Sequence, residues 1–103
     1  MSVLMNLAIF PTDKGDSVGV YVSEVINYIQ KSGVKYKLNS MGTTIETETM
    51  EEALSIIQGA YEILNMHSSR IYCNLTMDIR KGKSNRMEQK IESIEKNIGS
   101  VSK

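Results

Sequence analysis

Residues 3–10 alternate along the chain, with Val3, Met5, Leu7 and Ile9 on one face and Leu4, Asn6, Ala8 and Phe10 on the other. A period of two predicts a strand that is well buried on one side and partly buried on the second. Pro11 ends it, and Thr12–Asp16 reads as a polar turn. Ser17 is placed to cap a helix over 18–31, whose stripe of Val18, Val22, Val25 and Ile29 is widened by Tyr21, Ile26 and Tyr28. Gly33 stands where a helix C-terminal glycine is expected. Two short alternating runs, 34–39 and 43–48, then flank a Ser40-Met41-Gly42 turn and predict a hairpin, with Val34, Tyr36 and Leu38 on one face of its first strand. Thr49 and Glu52 have the spacing of a capping box, opening a helix over 50–66 that buries Ala53, Leu54, Ile57, Ala60, Tyr61 and Leu64. Alternation returns from Arg70 to Arg80, with Ile71, Cys73, Leu75, Met77 and Ile79 on one side. A polar bend leads to a last helix over 85–98.

The order β-α-β-β-α-β-α predicts an α+β fold of ferredoxin-like βαββαβ type: a four-stranded antiparallel sheet, two helices on one face, and an added C-terminal helix. At 103 residues, with no linker and no internal repeat, the chain reads as a single domain over 1–103. Two features fit a solitary subunit poorly. The second sheet face carries Leu4, Ala8, Phe10 and Tyr72, and the last helix has a narrow seam of Met87, Ile91, Ile94 and Ile98. Both predict self-association through the sheet face or the third helix, unless that helix folds back over its own sheet.

Composition narrows the function. Twelve basic and twelve acidic side chains cancel, so long-range attraction to nucleic acid or to an anionic membrane is not built in. No apolar run approaches a membrane span. The N-terminal residues lack a secretory pattern, and the single cysteine fits a reducing compartment, so a cytoplasmic location is expected. Cys73 has the apolar parity of a strand taken as central and reads as a core residue, and His67 stands alone, so neither a catalytic set nor a metal site is predicted. The glycines are dispersed and form no phosphate-cradling loop.

Polar groups on the hairpin point instead to binding. The segment after the turn carries hydroxyls and a carboxylate where valines would serve a purely structural strand. Glu46, if shielded from water, must pair with Lys35 or Lys37 across the hairpin or with a donor-rich or cationic ligand. Ser17 offers a hydroxyl beside free helix amides. Thr43 has the opposite parity to Glu46, so one ligand reaches both only at a bulge or at the strand end near Gly42.

Four stretches, Phe10–Val18, Ser40–Glu46, Ser69–Tyr72 and Met77–Lys81, occur in an order and spacing that resembles the small thiamine-binding protein family, a group of stand-alone domains. The resemblance extends to Lys90–Glu95. It implies the ferredoxin-like fold, homodimers or homotetramers, and binding of thiamine or its hydroxymethylpyrimidine part with no required cofactor. Carried over by position, it implies Ser17, Met41, Thr43 and Glu46 as ligand residues. Asp78 and Arg80 match the family's Asp-x-Arg signature, which implies an ion pair or subunit contact as readily as a ligand contact. Gly19, Ser40 and Tyr61 depart from the residues frequent in the family at those positions. The expectation is a non-enzymatic carrier or sensor. Its rivals are a ligand-free oligomeric interaction module and an enzyme on a similar heterocycle, for which Glu46 is the one available base.

Overall fold

A computed structural model describes residues 1–103. The strands are β1 (Ser2–Pro11), β2 (Lys35–Asn39), β3 (Gly42–Thr47) and β4 (Ile71–Arg80), and the helices are α1 (Gly19–Ser32), α2 (Met50–Asn65) and α3 (Arg86–Ile98). The sheet is antiparallel in the order β2-β3-β1-β4. This is the predicted fold, with every element found and its ends within a residue or two.

α1 and α2 cover one face, where Val3, Met5, Leu7, Ile9 and Ile45 meet Val25, Ile29, Ala53, Ile56, Ala60 and Leu64 in a single apolar core. α2 buries Ile56 rather than the expected Leu54 and Tyr61, which stay largely exposed. The helices meet at Gly59, where an added Cβ would overlap the Tyr28 ring; the Tyr28 hydroxyl donates to the Ser55 carbonyl at 3.3 Å. At the far end of this layer the His67 ring lies 5.3 Å from that of Tyr21, and its Nε2 is 3.0 Å from a Glu24 carboxylate oxygen.

β4 is an edge strand, which corrects the placement of Cys73 in a central one. Cys73 pairs with Ile9 and is exposed at the sheet margin. Desolvation still pushes its thiol above the ordinary value, so it is a poor source of thiolate.

The opposite sheet face is covered by α3 only in part. α3 folds back across β1 and β3, half-burying Met87 and Ile91, while Ile94 and Ile98 remain exposed. Phe10 and Tyr72 stack with ring centroids 5.4 Å apart on the uncovered end of this face. The narrow seam is therefore divided between the chain's own sheet and solvent.

Candidate functional site

The β2–β3 hairpin is closed by Ser40 and Met41, with the Asn39 Oδ1 accepting the Met41 amide at 3.0 Å. Gly42 is required just beyond the turn, because a Cβ there would lie 3.0 Å from the Leu7 carbonyl of β1. The ladder is regular here, and no bulge interrupts the pairing of Leu38 and Leu7 with Thr43. Thr43 therefore faces the helices, and Glu46 faces α3 on the other side of the sheet.

Between the hairpin end, the C-terminal half of β1 and α1 lies a cavity of about 320 Å³. Its walls are mainly apolar, with Phe10, Val22, Ile26 and Leu38 among them, and Met41 stands at its margin, almost wholly exposed. Thr43, Asn39 and Ser40 supply the polar groups, and no ionisable side chain lines it. Thr43 is 4 % exposed, yet its hydroxyl has no hydrogen-bond partner within the chain and is not among sealed-off polar atoms, so it opens to the cavity.

Of the four expected ligand residues, Met41 and Thr43 meet at this cavity and Ser17 and Glu46 do not. Ser17 is exposed and is not the α1 cap. That position falls to Val18, with no side-chain cap bond, because α1 begins two residues beyond the serine.

Glu46 has a different task. Its carboxylate accepts from the Ser2 hydroxyl at 2.5 Å and from the backbone amides of Arg86 at 2.8 Å and Met87 at 3.1 Å, the first amides of α3. α3 has no local side-chain cap, since Asn85 is left-handed at φ 56° and its side chain accepts from Lys35. A strand carboxylate thus caps a helix remote in sequence. Burial pushes the Glu46 carboxyl up, but those three donors outweigh it and hold the pKa below the ordinary value.

The Arg86 guanidinium completes the cluster. Buried at 3 % exposure, it donates to the Ser2 hydroxyl at 3.0 Å, to the Ser2 carbonyl at 2.9 Å and to the Asp78 carbonyl, and it pairs with the Asp78 carboxylate at 2.9 Å. Asp78 is thus an ion-pair residue, joined also by Lys90 at 3.4 Å. Arg80 is exposed at the end of β4 and enters none of the chain's ion pairs. Sequence reasoning missed Arg86. It also missed Asp13, whose carboxylate accepts from Ser68 at 2.5 Å and from the Ser69 amide at 3.0 Å and clamps the turn before β4.

No three His, Cys, Asp or Glu side chains come together as a metal site, and no helix is long and apolar enough to cross a membrane.

Comparison with known proteins agrees with this architecture. The profile of a family described as thiamine-binding protein matches residues 5–95. A UPF0045 protein of Mycobacterium tuberculosis is 31 % identical over 96 residues, covering 93 % of this chain and 94 % of the relative. A UPF0045 protein of Methanocaldococcus jannaschii is 33 % identical over 92 residues, covering 89 % and 91 %. The crystal structure of a Methanocaldococcus jannaschii protein superposes with a TM-score of 0.81 at 32 % identity, covering 90 % of this chain and 95 % of that one. A Thermotoga maritima crystal structure, described as that of a proposed thiamine biosynthesis/salvage protein, gives a TM-score of 0.79 at 21 % identity, covering 91 % and 99 %, and shares the fold.

Proposed function

Because the chain belongs to the thiamine-binding protein family, we propose that it binds thiamine or a related hydroxymethylpyrimidine without transforming it, as a carrier or sensor. The observation that carries this reading is the cavity between α1 and the hairpin: an apolar slot with an unpartnered threonine hydroxyl in its wall. An aminopyrimidine has flat apolar faces for Val22 and Ile26, and ring nitrogens and an amine that suit the Thr43 hydroxyl. Met41 would fold over the exposed edge of the ring. At about 320 Å³ the cavity lies at the small end of ligand pockets, which favours one ring inside it. A thiazolium cation, finding no carboxylate there, would stay at the mouth in water. The lack of an ionisable lining residue favours holding over acid–base chemistry. The description of the Thermotoga maritima protein points the same way.

Calorimetric titration with thiamine and with hydroxymethylpyrimidine tests the proposal. Thr43→Val should weaken binding by roughly three- to tenfold, the worth of one neutral hydrogen bond, and Glu46→Gln should leave the affinity unchanged. No heat with either compound overturns the reading. Loss of binding in Glu46→Gln but not in Thr43→Val would move the site to the other face of the sheet.

A second reading, assembly into homodimers or homotetramers, is favoured by the unequal sheet edges. β2 is five residues long and carries Lys35 and Lys37, whereas β4 runs ten residues with no charge before Asp78. Short, lysine-bearing edges resist pairing, and long uncharged ones invite it. Sedimentation should give a mass above one subunit, reduced by Thr76→Lys on the β4 edge; a monomeric parent protein refutes this.

A further inference from the structure

On the opposite side of the hairpin, between β2 and α3, a second cavity of about 550 Å³ remains open. Its floor is the polar face of the hairpin, where Lys37 pairs in register with Thr44 and Asn39 follows at the strand end. Its wall is apolar, made by Met87 and Ile91 of α3 and by Val101 beyond it. The floor is rich in donors. Lys37 has no carboxylate partner, whereas Lys35 beside it is tied to Glu88 and Asn85 and Lys103 to Glu95. The Thr44 hydroxyl has no hydrogen-bond partner in the chain, and the Asn39 side chain uses its oxygen on Met41, leaving its amide hydrogens free.

Cation, hydroxyl and amide donors on one wall, facing aliphatic carbons on the other, match one kind of small molecule. From this geometry we propose that the groove is a second binding site, separate from the α1 cavity, for a small organic anion with an apolar body. A carboxylate, sulfonate or phosphate monoester would take hydrogen bonds from Lys37, Thr44 and Asn39, while its carbon skeleton lies against Met87, Ile91 and Val101. Glu88, the carboxylate on this wall, is already engaged by Lys35, so Lys37 is free to meet the ligand. The α1 cavity has no charged lining and cannot make the same distinction between an anion and its neutral analogue.

The probe is naphthalene-2-sulfonate, with naphthalene-2-sulfonamide as its uncharged counterpart, titrated into the full chain labelled with nitrogen-15. The sulfonate should shift the amides of Lys37, Thr44, Met87 and Ile91 in a saturable way and leave those of Val22 and Ile26 in place. Binding should weaken about tenfold or more for the sulfonamide and for Lys37→Gln, as expected on losing a charge-assisted hydrogen bond. Ile91→Glu, which places a like charge in the wall, should abolish it, and a retained melting transition in both variants shows that the fold survives. Shifts that persist unchanged in Lys37→Gln overturn the proposal. So does equal binding of the two probes, or a self-associated protein whose groove amides are protected and indifferent to the sulfonate.

Discussion

Glu46, Ser2 and Arg86 form a buried cluster in which each polar atom answers another, and its removal should be felt as stability rather than as lost binding. Glu46→Gln replaces one acceptor oxygen with a donor, which then faces the amide of either Arg86 or Met87. The expected cost is about 2–3 kcal/mol, since hydrogen bonds to a charged group are worth about 1.5–3 kcal/mol each. Arg86→Ala should cost about 3–5 kcal/mol, because it removes one side of a buried charged cluster and strands the Ser2 carbonyl. Urea denaturation followed by far-ultraviolet circular dichroism measures both. A Glu46→Gln protein as stable as the parent would mean that these bonds contribute nothing net. At this scale the sequence misleads for a definite reason. It shows that Glu46, if shielded, must be partnered, but not that the partners are Ser2 and two amides forty residues downstream. That Met41 and Thr43 lie together at the hairpin end was readable, because their positions depend on a local turn and strand parity, which the hairpin pattern contains.

Three helices begin in three ways, and the differences explain what could be read in advance. α2 carries its cap within four residues: the Glu52 amide donates to the Thr49 hydroxyl at 3.1 Å, and that hydroxyl donates back to the Glu52 carboxylate at 2.9 Å. Such a motif is local and legible, and Thr49→Ala should cost about 1 kcal/mol in thermal or urea unfolding. α1 has Val18 in its cap position and no side-chain cap, so the serine just before it misdirects a rule that rests on spacing. α3 borrows its cap from β3, which no local rule detects. The crossing of α1 on α2 offers a sharper test. Gly59→Ala alone should destabilise, because the new methyl displaces the Tyr28 ring and its bond to Ser55. In a Tyr28→Ala background the same change should stabilise by up to about 1 kcal/mol, the helix preference of alanine over glycine. The double-mutant cycle would then have a large coupling term; additive effects would show that the ring moves aside without penalty.

Over the whole molecule, acid should loosen ties between segments forty to fifty-six residues apart in the chain. The Ser68 hydroxyl and the Ser69 amide lower the Asp13 carboxyl from 3.8 to about 2, and the donors around Glu46 also set its pKa below the ordinary value. Both groups bind protons more readily in the unfolded chain, so their stabilisation is complete above the unfolded values, roughly pH 4. It is lost as pH falls through the lower folded values. Stability measured against pH should therefore be level near pH 6 and decline toward pH 2, with a shallower decline in Asp13→Asn and in Glu46→Gln. An unaltered slope in both variants would assign acid sensitivity to other carboxylates. The layer order and the identity of the core strands were legible because strand period and element order settle them together. The edge position of β4 was not, since alternation reports which side is apolar and is silent about which neighbours flank a strand.

Leu38 and Asn39 border the cavity under α1 and the groove under α3. One thin partition of two residues thus serves as a common wall between compartments on opposite sides of the sheet. If a guest in one compartment displaces that wall, thermodynamic linkage requires the effect to be mutual: whatever factor the first changes in the second's affinity, the second returns to the first.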